Sequence, residues 1–82
     1  MASYEETLQA TREIIAKHVE LDRPVQPGDH IQNDLGLDSL GVMEVVADIE
    51  DRFEIQIPTE TLSQFTTVDD VAKALSQLSE RS

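Results

Sequence analysis

The residues best able to support chemistry stand together at Asp34-Leu35-Gly36-Leu37-Asp38-Ser39-Leu40. A serine directly after an aspartate that starts a helix lies beside unpaired N–H groups and the positive end of the helix dipole. Such a position suits a phosphate ester on the hydroxyl. Gly36 allows a tight turn into the helix, which leaves Ser39 at a corner open to another protein. On these residues alone, a plain N-cap at Asp38 or Ser39 is the competing reading. Nucleophilic catalysis by Ser39 fits poorly, because the only histidines are His18 and His30 and no Gly-x-Ser-x-Gly elbow surrounds the serine. The carboxylates of Asp34 and Asp38 superficially suggest a calcium loop. An EF-hand, however, requires glycine where Ser39 stands and glutamate where Val45 stands. No catalytic residue and no metal site is therefore assigned, and His30 reads as a solvated loop histidine.

The elements that must position this corner are helical. Ser3 and Glu6 form a capping box, and Tyr4, Leu8, Ile14, Ile15 and Val19 fall near helical spacing, predicting a first helix over roughly residues 3–19. Glu5, Gln9, Arg12 and Glu13 read as its solvated face. From 20 to 38, Pro24, Pro27, Gly28, Asn33 and Gly36 forbid a regular helix. So long a loop needs anchoring, and Val25, Ile31, Leu35 and Leu37 are the expected anchors, while Asp29 and Asp34 add charge near the serine.

The second helix is predicted over roughly 38–53. At about 100° per residue, Val42, Val45, Val46, Ile49 and Phe53 share one arc and should face the core. Leu40, Met43 and Ala47 lie on another, bordered by Glu44, Asp48 and Asp51 and, on the other side, by Glu50 and Glu54. A small apolar patch inside an acidic rim has the make-up of a docking surface. Phe53-Glu54-Ile55-Gln56-Ile57 alternates like a strand, but with no second strand to pair it reads as an extended connector. After Pro58, residues 59–63 form one short turn carrying Leu62 inward. Thr67 and Asp70 cap a last helix built on Val68, Val71, Ala72, Leu75 and Leu78 and ending near 78, with 79–82 frayed. The expected fold is all-α: a bundle of three longer helices and one short one, a single domain with an ordered core of roughly 3–78.

The 82 residues allow one modest core. Seventeen acids against six lysines and arginines give a formal charge of −11, which argues against nucleic acid and anionic membranes and for partners with basic patches. Cysteine is absent, so thiolate metal sites and disulfides are excluded. No run approaches the roughly 18 apolar residues of a membrane span, and residues 1–6 lack the features of a secretion signal, so a cytoplasmic location is expected; the expected state is a monomer.

Asp34-x-Gly36-x-Asp38-Ser39-Leu40, Glu44 and Asp51-x-Phe53-x-Ile55-x-Ile57-Pro58 together resemble the acyl carrier proteins of fatty-acid and polyketide synthesis. A fainter similarity continues through Phe65-Thr66-Thr67-Val68. The resemblance implies a carrier, not an enzyme. Its 4′-phosphopantetheine arm, taken from coenzyme A by a phosphopantetheinyl transferase, would be esterified to Ser39 beside Asp38 and would hold acyl groups as thioesters. It also implies docking to ketosynthase, acyltransferase and related enzymes through Leu40, Met43, Glu44, Ala47, Asp48, Glu50 and Asp51, and shelter for the acyl chain near Val46, Ile57, Leu62 and Phe65. Two departures from the fatty-acid pattern are Gly41, where an acid is common, and Arg52 within the acidic end of the second helix. They tilt the expectation toward a discrete carrier of polyketide or other specialised synthesis, with the housekeeping fatty-acid carrier as the alternative. Heavy acidity and the aspartate before Ser39 argue against a peptidyl carrier, and the contrasting non-carrier reading is an unmodified acidic adaptor.

Overall fold

In the computed structural model, which describes residues 3–78 in full and the backbone alone of 79–81, the three longer helices each begin at a side-chain cap. Ser3 Oγ accepts the Glu6 amide at 3.2 Å and starts α1, Tyr4–His18. Asp38 starts α2, Ser39–Phe53. Pro58 precedes the single turn of α3, Thr59–Leu62. Thr67 and Asp70 exchange side-chain and backbone hydrogen bonds of 3.0 and 3.3 Å at the start of α4, Val68–Arg81. The last helix thus extends three residues past the expected limit at Leu78, because Ser79, Glu80 and Arg81 are all compatible with helical backbone. The expected fraying of 79–82 bears, for Ser82, on a residue outside the described ones.

The core is all-α, and the alternating 53–57 segment is a connector rather than a strand. It carries Ile57 into the interior and leaves Ile55 half-buried. α2 ends on Glu54, which adopts a left-handed φ of 55° so that its amide and that of Ile55 both reach the Glu50 carbonyl. Glu50 contributes its side chain as well: Oε2 accepts the Ile57 amide at 2.8 Å and fastens the connector back onto α2.

α1 packs chiefly on α4 and secondarily on α2. Its buried residues are Thr7, Ala10, Thr11, Ile14 and Ile15, whereas Tyr4, Leu8 and Val19 are only half-buried. The expected apolar face is therefore rotated. Thr7 and Thr11 reach the core because their hydroxyls find acceptors there. Thr7 Oγ1 lies 2.9 Å from the carbonyls of both Tyr4 and Ala72, and Thr11 Oγ1 donates to Thr7 O at 2.6 Å. A buried hydroxyl satisfied in this way costs little, and small side chains let two helices approach closely. Tyr4 is drawn to the surface end of the same interface, where its hydroxyl donates to Asp69. That bond pulls the Asp69 carboxyl below its usual range, helped by Lys73 at 3.0 Å, and raises the Tyr4 hydroxyl.

The long loop is anchored as expected, by buried Val25, Ile31, Leu35 and Leu37. It is also stitched to the segment before α4. The Ile31 amide donates to Thr66 O, and the Val68 and Asp69 amides donate to Asp29 O and Pro27 O, at 2.9–3.1 Å.

Candidate functional site

The corner at Ser39 is held from two sides. On the loop side Ile31, Leu35 and Leu37 are sunk in the core, and Gly36 turns the chain with a φ of +72°, a conformation that disfavours a side chain. On the helix side the Asp38 carboxylate accepts the Gly41 amide at 2.7 Å, and its carbonyl begins the helical ladder to Val42. Ser39 follows as the first residue of α2, exposed. No acid lies in the first turn of this helix, and the Asp38 carboxylate at its N-cap is the one negative charge at this end among the described residues.

The charges expected near the serine divide. Asp34 accepts the His30 amide at 2.7 Å and closes the 31–35 turn. Asp29 is instead buried, with both carboxylate oxygens held by the Arg23 guanidinium at 2.8 and 2.9 Å and one of them also by the Gln26 amide at 2.8 Å. The Arg23 bond first, and then the Gln26 amide, lower the Asp29 carboxyl below its ordinary value. Its charge is thereby spent on the loop. His30 is likewise more than a solvated residue: half-buried, it accepts the Asn33 amide on Nδ1 at 3.2 Å.

Along α2 the structure separates the two faces read from the helical wheel. Val45, Val46 and Ile49 are buried and Val42 and Phe53 half-buried. Leu40 and Met43 remain 65% and 62% exposed beside Ser39, with Ala47, Glu44, Asp48 and Asp51 also exposed. Glu50 stands apart, half-buried and engaged with Ile57. Two of these acids meet a residue to which the sequence assigned no role. His18, at the end of α1, places Nε2 2.7 Å from Asp48 and Nδ1 3.9 Å from Glu44. Helical periodicity gives a residue's face but not its partner on another helix, so nothing local could have revealed this contact. The same is true of Arg12, which is not mere solvated surface but donates through Nε to Val25 O at 2.7 Å.

Beside Ser39 lies a shallow recess formed by Ile31, Gln32, Val42, Met43, Leu62, Ser63 and Phe65. Ile31, Val42 and Phe65 also wall an internal apolar cavity that includes Val46 and Ile49. Its volume is about 10 Å³, room for at most one water. Of the four residues expected to shelter an acyl chain, Val46 and Phe65 border this cavity, Leu62 borders the recess, and Ile57 faces a surface groove at the other end of α2. Among the described residues no helix is long and apolar enough to cross a membrane.

A serine presented in this way, on a small helical bundle, agrees with what known proteins show. Residues 9–75 match the family model described as a phosphopantetheine attachment site. An acyl carrier protein of Streptomyces coelicolor is 39% identical over 79 residues, covering 93% of this chain and 85% of its own. One from Myxococcus xanthus is 39% identical over 71 residues, covering 85% and 90%. A solved structure from Mycobacterium tuberculosis, assigned to the acyl carrier proteins, superposes with a TM-score of 0.80 at 27% identity over 87% of this chain and 96% of that one. With the matched region spanning α2 and most of α1 and α4, the chain belongs to the acyl carrier proteins, non-catalytic carriers of a phosphopantetheine arm.

Proposed function

We propose that Ser39 bears the 4′-phosphopantetheine arm and that the face of α2 around Leu40 and Met43 is the address read by the enzymes that load and process its cargo. The observation that carries this reading is the exposed Ser39 as first residue of α2, held between the Gly36 turn and the Asp38 cap. The arm supplies a thiol that holds the acyl group as a thioester. This chain's own residues do the rest. The α2 N-terminus stabilises the phosphate, Asp38 keeps the first turn wound, and Leu40, Met43 and Ala47 offer apolar contact within the rim of Glu44, Asp48 and Asp51.

The shelter for the cargo is the route from the recess beside Ser39, past Val42 and Phe65, toward Val46. Because the cavity holds no more than a water, α2 must part from the α3 segment to admit an alkyl chain. We place the protein as a discrete carrier of polyketide or other specialised synthesis, working with ketosynthase and acyltransferase partners, since Gly41 and Arg52 thin the acidic surface of α2. A housekeeping fatty-acid role is the alternative, and the cargo seen in an intact-mass spectrum of protein from its native host separates the two.

The central test is incubation with coenzyme A, magnesium and a broad-specificity phosphopantetheinyl transferase. One arm should add, and Ser39→Ala should abolish the gain in mass while leaving the helical circular dichroism unchanged. Addition at another residue, or none with several such transferases, overturns the assignment.

A further inference from the structure

The contact between His18 and the acids of α2 crosses from α1 onto the surface just assigned to docking. His18 is 21% exposed at its side chain, Glu44 55% and Asp48 49%, so a partner protein can reach all three. The Nε2–Asp48 distance of 2.7 Å is that of a strong hydrogen bond, and Nδ1 faces Glu44 at 3.9 Å. A neutral ring donates only one of these hydrogens, whereas a protonated ring donates both and places a cation between two carboxylates. Among the described residues, Glu44 and Asp48 are the acids within 4 Å of the ring. On its own element, Lys17 is the adjacent charge, and the last carbonyls of α1 favour a cation at this end.

From this geometry we propose that His18 is an intramolecular competitor for the basic groups of docking enzymes, set between Asp48 and Glu44 as a cation when protonated and holding at most one of them by a single hydrogen bond when neutral. The inference rests on α2 being the docking face. Its chemistry is that of two cations seeking the same carboxylates: an arginine or lysine of the partner must displace imidazolium toward the acid end of the range where histidine changes charge, between about pH 5 and 8, but meets no competing cation from His18 toward its alkaline end. By reciprocity, a protonated His18 and the partner's cation weaken each other's hold on Asp48 and Glu44. Asp51, with no basic group within 4 Å among the described residues, escapes this control.

The test compares the wild-type protein with His18→Gln as substrates of a phosphopantetheinyl transferase at low salt, at pH 6 and at pH 8. Taking the ratio of the two kcat/KM values at each pH cancels the enzyme's own pH dependence. The variant should match the wild type at pH 8 and exceed it by roughly two- to fivefold at pH 6, the range set by an exposed ion pair. A ratio that does not change with pH overturns the proposal. Glu44→Gln with Asp48→Asn tells the two readings apart. If that double variant associates as well as the wild type at pH 8, the docking assignment itself falls. If it associates more weakly while the His18→Gln ratio stays flat, only the role of His18 falls.

Discussion

The loop before Ser39 and the helix after it both carry carboxylates, and the two sets do opposite things. In the loop, Asp29 is buried and its oxygens are consumed by Arg23 and the Gln26 amide. On α2, Asp48 and Asp51 are exposed and leave lone pairs facing solvent. A buried charge with full hydrogen bonding organises backbone, because its loss strands the groups that surround it. An exposed charge adds little to stability and much to long-range attraction. Proximity to Ser39 thus says nothing about whether an acid is bound into the backbone or stays open to solvent; burial decides.

The sharpest way to break this comparison is to remove one charge from each region. Asp29→Asn should cost roughly 2 kcal/mol, the worth of hydrogen bonds to a charged group, and lower Tm by about 10 °C in a domain of this size. Asp51→Asn should stay within about 0.5 kcal/mol of the parent. The Asp29 effect also carries a pH signature. Its folded carboxyl sits below the ordinary 3.8, so its contribution is fully present above the unfolded value and is lost as pH falls through the folded one. Urea denaturation should therefore show a constant gap between wild type and Asp29→Asn from neutrality to about pH 5, closing below about pH 4. A gap that widens in acid would contradict the role given to Asp29.

Much of this division could be read from the chain, and the part that could not has a common cause. Caps are local, so Ser3 with Glu6, Asp38, and Thr67 with Asp70 located three helix starts to within a residue. Apolar side chains in the loop could go only inward, so Val25, Ile31, Leu35 and Leu37 were legible as anchors. Polar residues that pair across the fold were not. Arg23 closing on Asp29, Arg12 on Val25 and His18 on Asp48 depend on elements whose approach no periodicity encodes. Thr7 and Thr11 were missed on the core face of α1 because their burial depends on acceptors that exist only once the helix has formed and α4 has docked.

A smaller effect should appear on the helix side, with its sign reversed between function and stability. Asp51→Lys or Asp48→Lys should slow arm transfer several-fold, more than Glu13→Lys on α1, and the slowing should shrink as salt is raised. Neither should lower Tm, because seventeen acids against six basic residues leave this surface self-repelling. Sodium chloride at neutral pH should for the same reason raise the Tm of the wild-type protein. Equal slowing at all three positions would remove α2 from its docking role, and a Tm that falls with salt would show that ion pairs such as Lys73–Asp69 outweigh the repulsion.

The last comparison concerns the two glycines that flank the corner, one on each side, and ends on the smallest effect. Gly36 has open space around it but a φ of +72°, so Gly36→Ala should cost roughly 1–2 kcal/mol through backbone strain alone. Gly41 is the reverse case, helical in backbone but crowded: a Cβ there would lie 3.0 Å from Leu37 Cδ2 and 3.3 Å from the Asp38 oxygen that accepts its amide. Alanine gains about 0.5–1 kcal/mol of helix propensity at such a position. Leu37 is a buried anchor of the loop and must give way to admit the methyl group, which returns most of that gain. Gly41→Ala should therefore fall within about 0.5 kcal/mol of the parent by urea denaturation. A gain of the full propensity would mean that Leu37 moves freely and that the loop is not wedged against α2. A loss comparable to that of Gly36→Ala would mean that the close approach of Leu37 to the α2 backbone, rather than the Asp38 cap, is what holds Ser39 at its corner.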